Sequence, residues 1–136
     1  MLNVAKPSMP STLADAADAF FAAMNKMLSG DVAGIEAIWS EADDISHLGP
    51  MGAISMGRAA VMADFARESA MGFKGTLVAD GRHFVETQEM GYLVCMSRTR
   101  GMSKEGQTIQ KDIRATTVFR KEAGQWRVVH HQSDRF

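Results

Sequence analysis

The stretch Arg114-Ala-Thr-Thr-Val-Phe-Arg-Lys-Glu-Ala-Gly-Gln-Trp-Arg-Val-Val-His-His-Gln-Ser133 decides the fold class. Two runs rich in β-branched and aromatic residues flank Glu122-Ala123-Gly124, which is turn chemistry, so the stretch reads as a β-hairpin. Working upstream, the same pattern recurs. Strands are expected over about 73–86, 90–100, 107–121 and 125–135, broken at Thr87-Gln88-Glu89 and from Gly101 to Gly106. Asp80-Gly81 inside the first of these predicts a bulge or bend.

The N-terminal half has a different period. Leu13, Ala17, Phe20, Met24, Met27 and Leu28 recur at helical spacing, with Thr12 and Asp15 placed as a capping box and Gly30 as the stop. Asp31 is positioned to cap a short second helix whose apolar side is Val32, Ile35, Ile38 and Trp39. Ile45–Leu48 and Ala53–Met56 read as a short hairpin with Met51-Gly52 in its turn. Gly57 then opens a third helix with Val61, Met62, Phe65, Ala66 and Ser69 on its buried side and Arg58, Asp64, Arg67 and Glu68 on its wet side. The order α-α-β-β-α-β-β-β-β segregates helices from the meander. That is an α+β arrangement, with three N-terminal helices packed in a bent, mostly antiparallel sheet. Residues 1–10 carry two of the three prolines and no periodicity, so they read as a loose arm before a single domain over 11–136.

A chain of 136 residues is long enough for a core without metal or disulfide staples. Fifteen Lys and Arg against sixteen Asp and Glu leave no basic excess to neutralise phosphates, which argues against a nucleic-acid partner. No apolar run approaches the roughly 20 residues of a membrane helix, and the N-terminus lacks an apolar signal core, so a cytoplasmic protein is expected. Tyr92-Leu93-Val94-Cys95-Met96, Thr117-Val118-Phe119 and Val128-Val129 do not alternate apolar with polar. Both faces of the sheet then need cover, and three short helices cover one. A second copy of the chain is the expected cover for the outer face, giving a homodimer.

The stretch from Leu28 to Gly52 resembles the opening of the NTF2-like superfamily, and more closely its SnoaL-like, ketosteroid-isomerase-like branch. The residues that carry this are Gly30-Asp31, Asp43-Asp44, Gly49-Pro50 and Gly57-Arg58, together with the Arg114-x-Thr116 … Gly124-x-Trp126 ending. The resemblance covers about 12–135 and implies a cone: a bent sheet wrapped round a long helix, open at one end to a pocket, and commonly dimeric. It does not carry over the isomerase machinery. The base position falls on Gly49, the tyrosine on about Ala23 and the late-strand acid on about Thr116. Glycine and alanine neither take nor give a proton, so a ketosteroid isomerase acting by that mechanism is excluded on this placement.

With Gly49 facing the interior, as the resemblance implies, strand alternation brings His47 and Ile45 inward as well. By the same placement Arg114, Thr116 and Val118 face the pocket from one late strand. Val129, His131 and Ser133 face it from the last, with Trp126, Val128 and His130 on the opposite surface. His47 and His131 are then the candidate proton carriers, imidazole being the side chain that titrates near neutrality. Arg114, with Thr116 and Ser133 as hydroxyl partners, grips an acidic oxygen of a ligand or else pairs with Asp44, Asp112 or Asp134. Trp39, Phe20, Phe65, Met24 and Met62 wall the pocket or simply fill the core, and the eleven methionines suit an adaptable cavity. Cys95 reads as buried and inert. The histidines at 47, 83, 130 and 131 lack chelating spacing, and no phosphate-cradling loop, nucleophile elbow or HExxH motif occurs, so neither metal nor cofactor is expected. The function expected is a small-molecule pocket that moves a proton on a carbonyl or acidic compound. The competing expectation is a non-catalytic ligand-binding or dimerisation domain.

Overall fold

The computed structural model describes residues 10–135. The arm expected at 1–10 lies outside the described residues except for Pro10, whose carbonyl accepts the Trp126 N–H at 3.0 Å. The elements are α1 (Leu13–Leu28), α2 (Ala33–Ile38), β1 (Ser46–Leu48), β2 (Ile54–Met56), α3 (Arg58–Ser69), β3 (Lys74–Glu86), β4 (Met90–Met102), β5 (Thr108–Glu122) and β6 (Gln125–Asp134). They form the expected α+β fold. The six strands make one sheet in the order β2-β1-β6-β5-β4-β3. All pairings are antiparallel except β1 with β6, which is parallel and joins the short first strand to the last one.

Local chemistry fixes the helices. Thr12 Oγ1 accepts the Asp15 N–H at 3.2 Å, which satisfies one donor at the start of α1. Asp31 Oδ1 accepts the Ala33 N–H at 3.0 Å at the entry to α2. The Asp43-Asp44 pair proves to be a joint. Asp43 Oδ1 accepts the Arg58 N–H at 3.0 Å, and Asp44 binds the Arg120 guanidinium through both oxygens, at 2.7 and 3.0 Å. Gly57 packs against this joint at φ 87°, and a Cβ there would lie 3.0 Å from the Asp43 carboxylate. Arg58 in turn donates to the carbonyls of Glu36, Trp39 and Ser40 and closes the end of α2.

The helices pack on one face of the sheet. The core joins Phe20, Met27, Ile35, Trp39, Val61 and Phe65 to Leu93, Phe119 and Val128. Asn25, off the apolar stripe of α1, acts as a strand mimic. Its Oδ1 accepts the Leu77 N–H at 2.7 Å and its Nδ2 donates to the Leu77 carbonyl at 2.9 Å, locking α1 onto β3.

Two bulges set which side chains look inward. One lies in β3 between Asp80 and His83, where the Asp80-Gly81 pair predicts it. The other carries no sequence signal: Phe119 pairs with Val128 but Val118 pairs with His130, so Val129 is an extra residue in β6. Trp126 and Val128 consequently join the core, contrary to the single alternation expected along this strand. Past the bulge, His131 and Ser133 face the same way as that core, and His130 the other way.

Candidate functional site

One row of cross-strand partners runs through the inner face of the sheet: Ser55 on β2, His47 on β1, His131 on β6 and Thr117 on β5. All four are buried. The two imidazoles stack with ring centroids 5.9 Å apart and planes inclined by 22°. Phe65 stacks on His47 at 4.8 Å, and Phe20 and Trp39 meet the imidazoles edge-on. Packing thus holds both rings in one orientation.

Each ring is also pinned by its Nδ1. His47 Nδ1 lies 3.0 Å from Asp64 Oδ2, and His131 Nδ1 lies 2.9 Å from Thr117 Oγ1. Among the described residues neither Nε2 has a hydrogen-bond partner, and both rings line the main cavity. Asp64 is itself buried against Ser55, His47 and Arg67. Burial alone would raise its carboxyl, but hydrogen bonds from Ser55 and His47 and the charge of Arg67 hold it below the ordinary value. An ionised carboxylate only accepts, so the proton of neutral His47 resides on Nδ1 and the Nε2 lone pair is free. Burial pushes the His131 imidazole down to about 3, with the His47 and His130 charges acting in the same sense, so His131 is neutral at physiological pH.

The cavity holds about 530 Å³ between α1, the end of α3 and the inner faces of β4, β5 and β6. Met71 and the Lys104-Glu105 turn, which are exposed, line it as well. Phe21, Met24, Phe73, Leu77 and Ile113 supply apolar wall, while Ser97, Thr99, Ser133, Glu68 and Lys111 add polar atoms. Burial raises the Glu68 carboxyl and lowers the Lys111 ammonium.

Several expected site residues lie elsewhere. Arg114 and Thr116 are on the outer face, because β5 turns Ile113, Ala115, Thr117 and Phe119 inward. Arg114 binds Asp134 there through Nε at 3.0 Å and Nη2 at 2.8 Å. Together with Val94 and Gln132 they border a separate, smaller hollow. Placing Thr116 inward is a one-residue offset, and it reverses a whole strand. Trp39, Phe20 and Phe65 form the fully buried bed beneath the histidines and do not line the cavity, and neither does Met62, which packs on the core's margin. Among the described residues, Met24 and Met71 are the methionines that do. Cys95 is buried, and burial raises its thiol.

The structure also corrects the wet side expected for α3. Asp64 is buried and Glu68 lines the cavity. The spacing holds the signal: Asp64 and Glu68 stand three and seven residues after Val61, on its side of the helix.

Comparisons with known proteins agree on the fold. The sequence profile of the SnoaL-like domain matches residues 14–133. A proposed calcium/calmodulin-dependent protein kinase type II association domain from Thiobacillus denitrificans is similar at 27% identity, with 96% of this chain and 99% of that chain covered and a TM-score of 0.76. A proposed dehydratase of the NTF2-like family from Streptomyces avermitilis is 19% identical over 91% of this chain and 93% of its own, with a TM-score of 0.78. The association domain of the C. elegans kinase is 11% identical over 90% of this chain and 94% of its own, with a TM-score of 0.71. No curated protein matches the sequence significantly.

Proposed function

The chain belongs to the SnoaL-like domain family, within the NTF2-like fold, and from that premise we propose that its cavity binds a small carbonyl or acidic compound and moves a proton on it. The observation that carries this reading is the buried His47–Asp64 pair, 3.0 Å apart, with the opposite ring nitrogen facing an open cavity. His47 Nε2 takes a proton from carbon next to a carbonyl, the electron pair moves onto the carbonyl oxygen, and Asp64 stabilises the imidazolium so formed. Thr117 Oγ1, 2.9 Å from His131 Nδ1, can donate to it, and in that tautomer neutral His131 carries its proton on Nε2 and donates to that oxygen. Return of the proton from His47 to another carbon gives isomerisation; its transfer to a β-hydroxyl, which leaves as water as the carbonyl re-forms, gives dehydration.

The test spans a class of substrates. A panel of small ketones and 2-oxo acids is incubated with the protein in D₂O, and exchange of α-protons is followed by NMR. Wild type is expected to accelerate exchange for at least one member, and His47→Gln to lose about 10²-fold or more of it, the usual scale for a general base. No acceleration across the panel, with binding retained, would leave the non-catalytic ligand-binding reading.

The outer face we assign to a second copy of the chain. Ile54, Met56, Val78, Tyr92 and Val94 lie on it at 77, 70, 57, 39 and 41% exposure, an apolar area large for a free surface. Similarity to domains named for association supports the same reading.

A further inference from the structure

Every other lysine among the described residues is exposed; Lys111 is half-buried and lines the cavity. It has no acid within 4.0 Å among the described residues, whereas Arg67, Arg82, Arg98, Arg100, Arg114, Arg120 and Arg127 all have one. Glu68, on the same cavity, acts on it only through space, and a half-buried cation with no acid in direct contact is costly to desolvate. Its surroundings are prepared for oxygen. Thr99 is its direct partner across β4 and β5, and Ser97 is the next inward residue of β4. Both line the cavity, at 8 and 3% exposure, and among the described residues neither hydroxyl has a hydrogen-bond partner. Ser133, on the far side of β5, lines it too, is 5% exposed and is equally unpartnered. These hydroxyls are open to the cavity and share it with one ammonium.

We propose, resting on the reading of this cavity as a small-molecule site, that Lys111 with Thr99, Ser97 and Ser133 forms a subsite for the carboxylate of an apolar carboxylic acid. A monoanion fits because the subsite holds a single cation. Glu68 lines the same cavity, where burial raises its carboxyl and the Lys111 charge acts the other way. The apolar body then lies along Phe21, Phe73 and Ile113, with the histidine pair on the same cavity wall. The specificity-determining cation is Lys111, not Arg114.

The test compares 3-phenylpropanoate with its neutral amide, 3-phenylpropanamide, by calorimetric titration at constant ionic strength. Wild type is expected to bind the acid at least tenfold more tightly than the amide. Lys111→Met should abolish that preference while leaving amide binding unchanged, Thr99→Val should reduce it several-fold, and Arg114→Ala should not alter it. Thermal melting checks that each variant folds, and Lys111→Gln serves if the Met variant does not. Equal binding of acid and amide in wild type, or a preference that survives loss of Lys111, overturns the subsite but leaves the cavity reading standing. Failure of both probes to bind overturns both. Tighter binding of phenyl phosphate than of the carboxylate overturns the assignment to carboxylates.

Discussion

At the level of single residues, the two histidines of the site are readable in the sequence and their partners are not. A histidine on a short apolar strand draws notice wherever it lies, and His47 and His131 do lie together. Asp64 escapes notice because, among Arg58, Arg67 and Glu68, it reads as part of the wet side of α3, and one of its oxygens does pair with Arg67. Its second oxygen is what matters, because it fixes the tautomer of His47. Asp64→Asn is therefore expected to lower the proton-exchange rate at least tenfold while leaving ligand affinity within about threefold. An unchanged rate would mean that the carboxylate is structural only.

The buried imidazole of His131 has a separate thermodynamic signature. Its folded value, about 3, lies below the ordinary histidine value of 6.5. Between those two values the unfolded chain binds more protons than the folded one, so stability falls as pH falls, by up to about 1.4 kcal/mol per pH unit for this residue. Burial lowers His130 as well and acts in the same direction. Urea unfolding between pH 6.5 and 5 should show a shallower slope in His131→Asn than in wild type. Identical slopes would show that the ring is not held neutral.

At the level of elements, boundaries and order follow from periodicity and turn residues, whereas inward and outward faces do not always follow. In β5 the charged residues Asp112, Arg114 and Arg120 share one parity, which by itself turns that side outward. The register implied by the family resemblance displaces it by one residue. In β6 nothing in Val128-Val129-His130-His131 marks the bulge, since both valines are apolar enough for either face. The junction of β3 and β4 has a tighter constraint. Gly75 and Gly101 pair directly, with the Phe73 ring over them, and a Cβ on either glycine would come within 2.7 Å of that ring and 2.1 Å of backbone oxygen. Gly101→Ala is expected to cost about 1–3 kcal/mol in denaturant unfolding. The loss should exceed that of Thr12→Ala, an exposed cap worth about 1 kcal/mol.

For the whole molecule, the α+β architecture and family are legible because helices and meander are segregated along the chain. The lack of apolar-polar alternation in the strands also has its counterpart in the exposed Tyr92 and Val94. If a second copy covers that face, Val94→Lys should convert a dimer to a monomer in sedimentation velocity while thermal melting remains cooperative. A wild type that sediments as a monomer at micromolar concentration would remove the assignment.

The parallel seam between β1 and β6 has a further consequence for biosynthesis. Ser46 and His130, neighbours in that seam, are separated by 84 positions of chain. A ribosome therefore delivers one imidazole long before its companion, and closing so long a segment carries an entropic cost that local helices do not. The stacked imidazole pair should form late, after the meander has zipped. A nascent chain halted ahead of the final strand would hold His47 and Asp64 but no stacked pair.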